Sequence, residues 1–441
     1  MGLLPACGVF TTPAQVLARA DRNLAAHDYR AAAVDLRNLI AKQPNDRALH
    51  LKLAEALLHT GAYVESDANF RRAQQLGAPW SSISADLAEA LIGESQPQQA
   101  LDLLAAHPPA GKSDARTLTL RGRALLALGK RDDAHAALAQ ALALDAADVP
   151  ARVALATLLE EQGDSAGAKS ALDAAVTAAP NDFSPHLALG IWFTRQRQLH
   201  DAHDELTRAL DLAVTGIRAG REPWFDEYRV LAPLAENDLM LRDVPSAEQR
   251  VQRMRKLAPH EPPTLLLQAR IDLAHRRTAD ARSVLQDLLS RDPRNEPAQV
   301  LLGAADAATG QLEQADMYLT AALAAAPGDR SARKLLTEVQ LRESKPQQAL
   351  RTATGADAAL DADLLGLAGQ ASAQSGDLAG ATTYLERSEK AAPQDSVRAL
   401  QLATAYLAGH RDADALKLLQ GLRVPEKLAP RREWLLLSAL S

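Results

Sequence analysis

The chain has 441 residues and a formal net charge of −6, and Ala and Leu dominate a composition that is 47% hydrophobic but only 3% aromatic. That balance disfavours a β-sandwich, which draws on β-branched and aromatic residues, and it carries none of the basic footprint of a nucleic-acid binder. The sequence contains no run of 18 or more apolar residues that would span a membrane, and its single cysteine, Cys7, leaves no intramolecular disulfide to form.

The N-terminal tail, 1–12, reads MGLLPACGVFTT. Leu4-Pro5-Ala6-Cys7 is similar to a bacterial lipobox, in which a signal peptidase cuts before a cysteine that becomes lipidated. Such a site normally follows a positive n-region and an apolar stretch of about 7–15 residues, and this chain has almost neither ahead of Cys7. Two readings result: a lipoprotein whose upstream signal is missing from this sequence or was lost to a misassigned start, or an inert thiol in a disordered tail. Gly2 does not make a myristoylation site, because Ala6 stands where Ser or Thr is required.

From Pro13 the chain repeats itself. An alanine is followed by a proline twelve residues later at Ala32 and Pro44, Ala168 and Pro180, Ala247 and Pro259, Ala281 and Pro293, Ala315 and Pro327, and Ala381 and Pro393, and these anchors recur at 34 residues or its multiples with two exceptions. The first six units, 13–216, begin at Pro13, Arg47, Ser81, Ala115, Val149 and Phe183. Each reads as two helices, with apolar residues at helical spacing in both halves. Gly61, Gly129, Gly163, Gly310 and Gly376 mark the break between halves, where a helix end wants a left-handed residue. Counting from the start of each unit, position 8 is small (Ala20, Ala54, Ala88, Gly122, Gly190), position 20 is nearly always Ala, and position 24 is large (Leu36, Phe70, Leu138). That alternation allows two helices to approach closely.

An insertion, 217–227, reads IRAGREPWFDE and carries the aromatic pair Trp224 and Phe225. It is read as a plug for a lengthened helix joint, with a docking element on the array's edge as the alternative. Units seven to twelve, 228–429, begin at Tyr228, Pro262, Glu296, Arg330, Ala362 and Ser396, and the tenth is two residues short. ESQPQQAL at Glu94–Leu101 returns as ESKPQQAL at Glu343–Leu350, at the same place in units three and ten. Pro97 and Pro346 then fall in the first turn of a helix, where a missing N–H costs little. The last stretch, 430–441, reads PRREWLLLSALS, a lone terminal helix that looks like the start of a further unit. Trp434, Leu435, Leu436, Leu437 and Leu440 make it apolar almost all round, whereas a terminal cap should present a polar outer face. The array is therefore either truncated there, which is the preferred reading, or this helix docks on something.

The 34-residue pattern resembles the tetratricopeptide repeat (TPR), with one departure: position 4 lacks the aromatic and holds residues such as Val16, Leu118 and His186. The resemblance implies an all-α, right-handed superhelical solenoid of about twelve helix-turn-helix units in one continuous array. A narrower resemblance lies in AEALLHTGAYVESDANFRRAQQLGAPW, LMLRDVPSAEQRVQRMRKLAPHEPPTLLLQARIDLA and ARKLLTEVQLRESKPQQAL. These are similar to the bacterial TPR lipoproteins that accompany PEP-CTERM/exosortase sorting and exopolysaccharide genes (PrsT-like). That implies a scaffold facing the periplasm, and it tips the reading of Cys7 towards lipidation.

In TPR solenoids the first helix of each unit lines a concave groove, with position 9 facing inward. Here the groove candidates are Asp21, Glu55, Glu89, Arg123, Glu236, Arg270 and Glu338. The first three are acidic in succession, which fits basic or polyhydroxylated partners, although a merely wet face would be polar too. The Lys/Asn set that clamps a C-terminal carboxylate in some chaperone adaptors has no counterpart. Gly111-Lys112-Ser113 lacks the strand and the earlier glycine of a phosphate loop. His200 and His203 share a helix face, but no second cluster completes a metal site and the pair reads as a solvated outer face. No paired-carboxylate, Ser/His/Asp or Cys/His arrangement has supporting sequence. The expectation is a protein that is not an enzyme, with no cofactor and no metal. It would be a scaffold for protein or polymer partners, such as exopolysaccharide machinery, lipid-anchored in the periplasm through Cys7. The alternative is a cytoplasmic docking or regulatory array of a larger protein that carries a catalytic domain elsewhere.

Overall fold

The computed structural model describes residues 12–108, 114–218, 224–355, 361–393 and 395–440. Cys7, the Gly111-Lys112-Ser113 loop and the middle of the insertion lie outside the described residues. All regular structure among the described residues is helical, in two compact units, Met1–Pro259 and His260–Ser441.

The first unit holds seven helix pairs: α1 (Pro13–Ala25) and α2 (Tyr29–Ile40), α3 (Arg47–His59) and α4 (Tyr63–Gln75), α5 (Trp80–Gly93) and α6 (Pro97–Ala106), α7 (Ala115–Ala127) and α8 (Arg131–Leu144), α9 (Val149–Glu161) and α10 (Ser165–Ala178), α11 (Phe183–Arg195) and α12 (Leu199–Arg218), and α13 (Trp224–Met240) and α14 (Val244–Leu257). The second holds five: α15 (Pro262–Ala274) and α16 (Thr278–Arg291), α17 (Glu296–Ala308) and α18 (Leu312–Ala325), α19 (Arg330–Arg342) and α20 (Pro346–Ala353), α21 (Ala362–Gln374) and α22 (Leu378–Ala391), and α23 (Ser396–Ala408) and α24 (Asp412–Gly421). A short 3-10 turn, Glu426–Leu428, leads into the lone α25 (Ala429–Leu440). The all-α fold of twelve helix pairs is the one the period predicts.

Local chemistry sets the helix ends. Aspartates cap first helices at Asp46, Asp114, Asp148, Asp182, Asp329, Asp361 and Asp395, each side chain accepting from an N–H of the opening turn. Between the two helices of every pair one residue is left-handed. Five are the predicted glycines, Gly61, Gly129, Gly163, Gly310 and Gly376, with φ from 70° to 85°. The other seven are His27, Ser95, Arg197, Arg242, Arg276, Ser344 and His410, with φ from 55° to 63°. The turn is thus imposed by the packing of the pair rather than by glycine. A Cβ at Gly163 or Gly310 would meet nothing within 4 Å, so the penalty there is purely dihedral. Gly163→Ala is expected to cost ~1 kcal/mol and Ser95→Gly to gain ~0.5–1 kcal/mol in urea unfolding. Equal midpoints for both variants and the native chain would refute this.

Position 4, without its aromatic, is used differently in five pairs. His50 and His186 place Nε2 against the carbonyls of Pro44 and Pro180 (3.1 and 3.2 Å). Arg152 donates to Ala146 O (2.6 Å), Gln299 to Pro293 O (2.8 Å) and Arg333 to Pro327 O (2.6 Å). Each acceptor lies six residues upstream, in the turn that closes the previous pair. A polar side chain there satisfies a carbonyl the preceding helix leaves open, which is how the fold tolerates the departure.

Packing follows the small–large alternation. A Cβ on Gly122, Gly190, Gly303 or Gly369 would lie 2.5 or 2.6 Å from Leu138, Leu206, Leu319 or Leu385 of the same pair. Position 20 is fully buried as Ala at 32, 100, 134, 168, 202, 247, 281, 315, 349, 381 and 415. The exception, Ser66, donates its hydroxyl to Ala54 O at 2.8 Å, so the polar group carries a partner into the core.

The insertion lengthens both helices that flank it. α12 runs for 20 residues, where the other second helices have 14 or fewer, and α13 begins at Trp224 and not at Tyr228, where the period would start it. The side chains of Trp224 and Phe225 lie outside the described set. Their neighbour Glu227 is buried and takes two bonds from Arg253 (2.5 and 2.7 Å), tying the added turn to α14.

Candidate first-helix binding face

In the first unit, successive first helices touch one another from α3 to α13, and in the second unit from α15 to α21. Their free faces therefore join into one surface within each unit. α1 is tied to α3 through Asp21 and Lys52, and α1, α3 and α5 carry two rows of partly exposed aliphatics: Leu17, Leu51 and Ala85 in one, Leu24, Leu58 and Ile92 in the other. Spacings of three and four residues set Asp21, Glu55 and Glu89 between the rows.

The three acids are not equivalent. Asp21 is held by Lys52 of the next pair. Glu89 receives Arg116 at 2.9 Å and has Arg123 at 3.6 Å, while Arg116 also reaches Asp86 at 2.6 Å. Glu55 is exposed and has no ion-pair partner among the described residues. The face is thus a ladder of opposite charges joining neighbouring first helices, with one unpaired carboxylate. Arg123 belongs to the same constellation as Glu89. Glu236 and Arg270 lie on α13 and α15, in different compact units. Glu338 on α19 sits by Lys334, whose ammonium is pushed up chiefly by its 2.7 Å bond to Asp363. Asp363 is in turn held below the usual carboxylate range by Lys334 and by Arg398.

The partners Lys52, Asp86, Arg116, Lys334 and Asp363 are absent from a reading of position 9 alone. Their signal is present in the sequence: opposite charges 29, 30 and 31 residues apart, just under one period.

A second recurrent set lies deeper, where position 21 of one pair meets position 11 of the next. The contact is aliphatic between Ala33 and Leu57 and between Leu101 and Leu125. At Lys169 over the Phe193 ring, 5.7 Å from its centroid, it is a cation–π contact. Further on it joins a carboxylate to a basic side chain: His203 Nδ1 lies 3.0 Å from the fully buried Asp238, and Arg282 Nε lies 2.9 Å from the fully buried Asp306. Between Asp316 and Gln340 it is a 3.0 Å hydrogen bond. Burial pushes the carboxyl groups of Asp238 and Asp306 up, against the pull of their cationic partners. His203 thus contacts the next pair while its side chain stays 34% exposed, and His200 lies on the exposed face that the sequence reading expects. Among the described residues no three His, Cys, Asp or Glu side chains converge as a metal site would require. No helix among them is long and apolar enough to cross a membrane.

The repeated phrase differs in one functional letter. In the second copy, Lys345 lies 2.9 Å from Glu343 and 3.6 Å from Asp316. In the first, Gln96 stands in its place and bonds Glu94 at 2.7 Å. Burial and the nearby Asp67 push Glu94 up.

Residues 17–79 match one tetratricopeptide repeat family model, and residues 125–189 and 272–339 match another. These segments are tetratricopeptide repeats. The helix pairs between and after them share the left-handed corner, and several share the small–large contact, described above. Among solved structures, the chain is similar to a chain of the APC/C hetero-tetramer Cut9–Hcn1, with 15% identity over 98% of this chain and 97% of that one and a TM-score of 0.41. Yeast Tom70 gives 12% identity over 97% and 96% and a TM-score of 0.45. The Pseudomonas aeruginosa pilF structure gives 17% over 51% and 97%, with a TM-score of 0.41. No curated protein matches the chain. TPR units generally mediate binding of protein partners.

α25, the last described helix, packs its buried Leu435 against Leu400, Ala403 and Leu419. Its other face leaves Trp434, Leu437 and Leu440 63%, 70% and 68% exposed.

Proposed function

We propose that the protein is a scaffold that binds a protein partner along the first helices of its N-terminal TPR units, anchored to the bacterial envelope through Cys7. The observation that carries the binding site is the pair of aliphatic rows on α1, α3 and α5 flanking Glu55, the carboxylate left without a base. An apolar strip with one uncompensated charge favours a segment that pairs apolar side chains with a basic one. The envelope setting, near exopolysaccharide and PEP-CTERM machinery, is supported by the Leu4-Pro5-Ala6-Cys7 lipobox likeness and by the three segments similar to PrsT-like lipoproteins.

One experiment tests both parts. The protein is expressed from its native locus with a photo-crosslinking residue at Leu58 or, as control, at the exposed Val64 of α4, and the cells are fractionated. Adducts are expected from Leu58 and not from Val64, reduced severalfold by Glu55→Lys, and in the membrane fraction unless Cys7→Ala is present. Adducts of equal yield from both positions would sink the binding face. A soluble native protein that Cys7→Ala does not redistribute would sink the anchor.

A further inference from the structure

We propose that the first compact unit closes on itself through a latch, the Arg30 guanidinium seated on the carbonyl end of α14. Arg30 is the second residue of α2, and its Nη1 donates to Leu257 O at 3.1 Å across 227 residues of sequence. Leu257 is the last residue of α14. Its carbonyl is one of those a helix leaves without an internal partner, and Pro259 just beyond has no N–H to offer. A guanidinium suits that site, because the carbonyl end of a helix carries partial negative charge. α2 and α14 are the second helices of the first and seventh pairs, so seven pairs bring the chain back onto its own beginning.

The contact lies in solvent. A single exposed hydrogen bond of this kind is weak enough to be undone by a partner that prefers the open form. The closure does not rest on the binding face proposed above.

The test is a distance measurement on the full chain without any partner. Spin labels are placed at Val34→Cys on α2 and Lys256→Cys on α14, both exposed positions, in a Cys7→Ala background. Pulsed dipolar spectroscopy is expected to give one narrow, short distribution. Arg30→Ala should broaden it and move it outward by about a helix diameter, ~10 Å. Arg30→Lys, which keeps the charge but loses the planar fork, should fall between them. Equal helicity by circular dichroism confirms that each variant is folded. An unchanged distribution in Arg30→Ala overturns the latch, as does a native distribution that is already broad. A face that captures no partner in the crosslinking experiment would leave the distance result standing, so the two proposals fail separately.

Discussion

Replacing Arg282 by Met is expected to cost ~3–5 kcal/mol of stability at neutral pH, measured by urea unfolding of the full chain. The reason is what it leaves behind. Asp306 is fully buried, and among the described residues Arg282 is the only charged side chain paired with it and no donor is aligned on either carboxylate oxygen to take over. Removing both charges is a different matter: Arg282→Met with Asp306→Leu should fall within ~1 kcal/mol of native or exceed it, because no ion then has to be desolvated. The pH dependence separates this account from a simple packing loss. Burial already holds the Asp306 carboxyl above its ordinary value, so the folded state binds that proton more readily than the unfolded state. Stability therefore rises as pH falls through the raised folded value, and the gain is complete once pH lies below the unfolded value. Without Arg282 the gain on acidification should grow, and in the double variant it should vanish. A cost below ~1 kcal/mol for Arg282→Met would show that water reaches the carboxylate.

Phe70→Ala should cost ~3–5 kcal/mol. Phe70 is 2% exposed and fills the space bounded by Ala54, Ala73, Ile83 and Leu87, joining the second pair to the third. Most other pairs carry Leu at this position, so Phe70→Leu should cost distinctly less, ~1 kcal/mol, while the alanine variant leaves a cavity its neighbours fill only in part. In a repeat array each pair leans chiefly on its neighbours, so the loss should be local. Amide exchange is expected to accelerate in α3, α4 and α5 and to change little in α21 and α22. Uniform acceleration along the chain would contradict the nearest-neighbour picture.

The fold was legible because its determinants are periodic. Ala32, Ala168 and Ala315 recur with their prolines, and a period of 34 with a break in each unit has few solutions other than stacked helix pairs. The left-handed corner was legible at the five glycines and hidden at Arg197 or Ser344, where tertiary packing overrides the residue's own preference. The start of α13 at Trp224 was hidden because an insertion has no counterpart to be aligned with. For the candidate site, position 9 could be listed from the sequence but not its electrostatics, since the pairing of Asp21 with Lys52 or of Glu89 with Arg116 depends on how one first helix lies against the next. The contact of His203 with Asp238 was hidden for the same reason: the helix pattern marks the histidine's face as outward, and only the arrival of the following pair sets a buried carboxylate against it.

The contacts between position 21 of one pair and position 11 of the next bear on how such an array can be cut and rejoined. Excising residues 296–329 removes one whole period and keeps every helix in phase. Yet it brings Arg282 opposite Gln340, a side chain that in the intact chain meets Asp316. The backbone would splice cleanly and the chemistry would not. The units are interchangeable in shape but carry private complementarity at their seams, so the order of the modules is written into the junctions and not into the modules themselves.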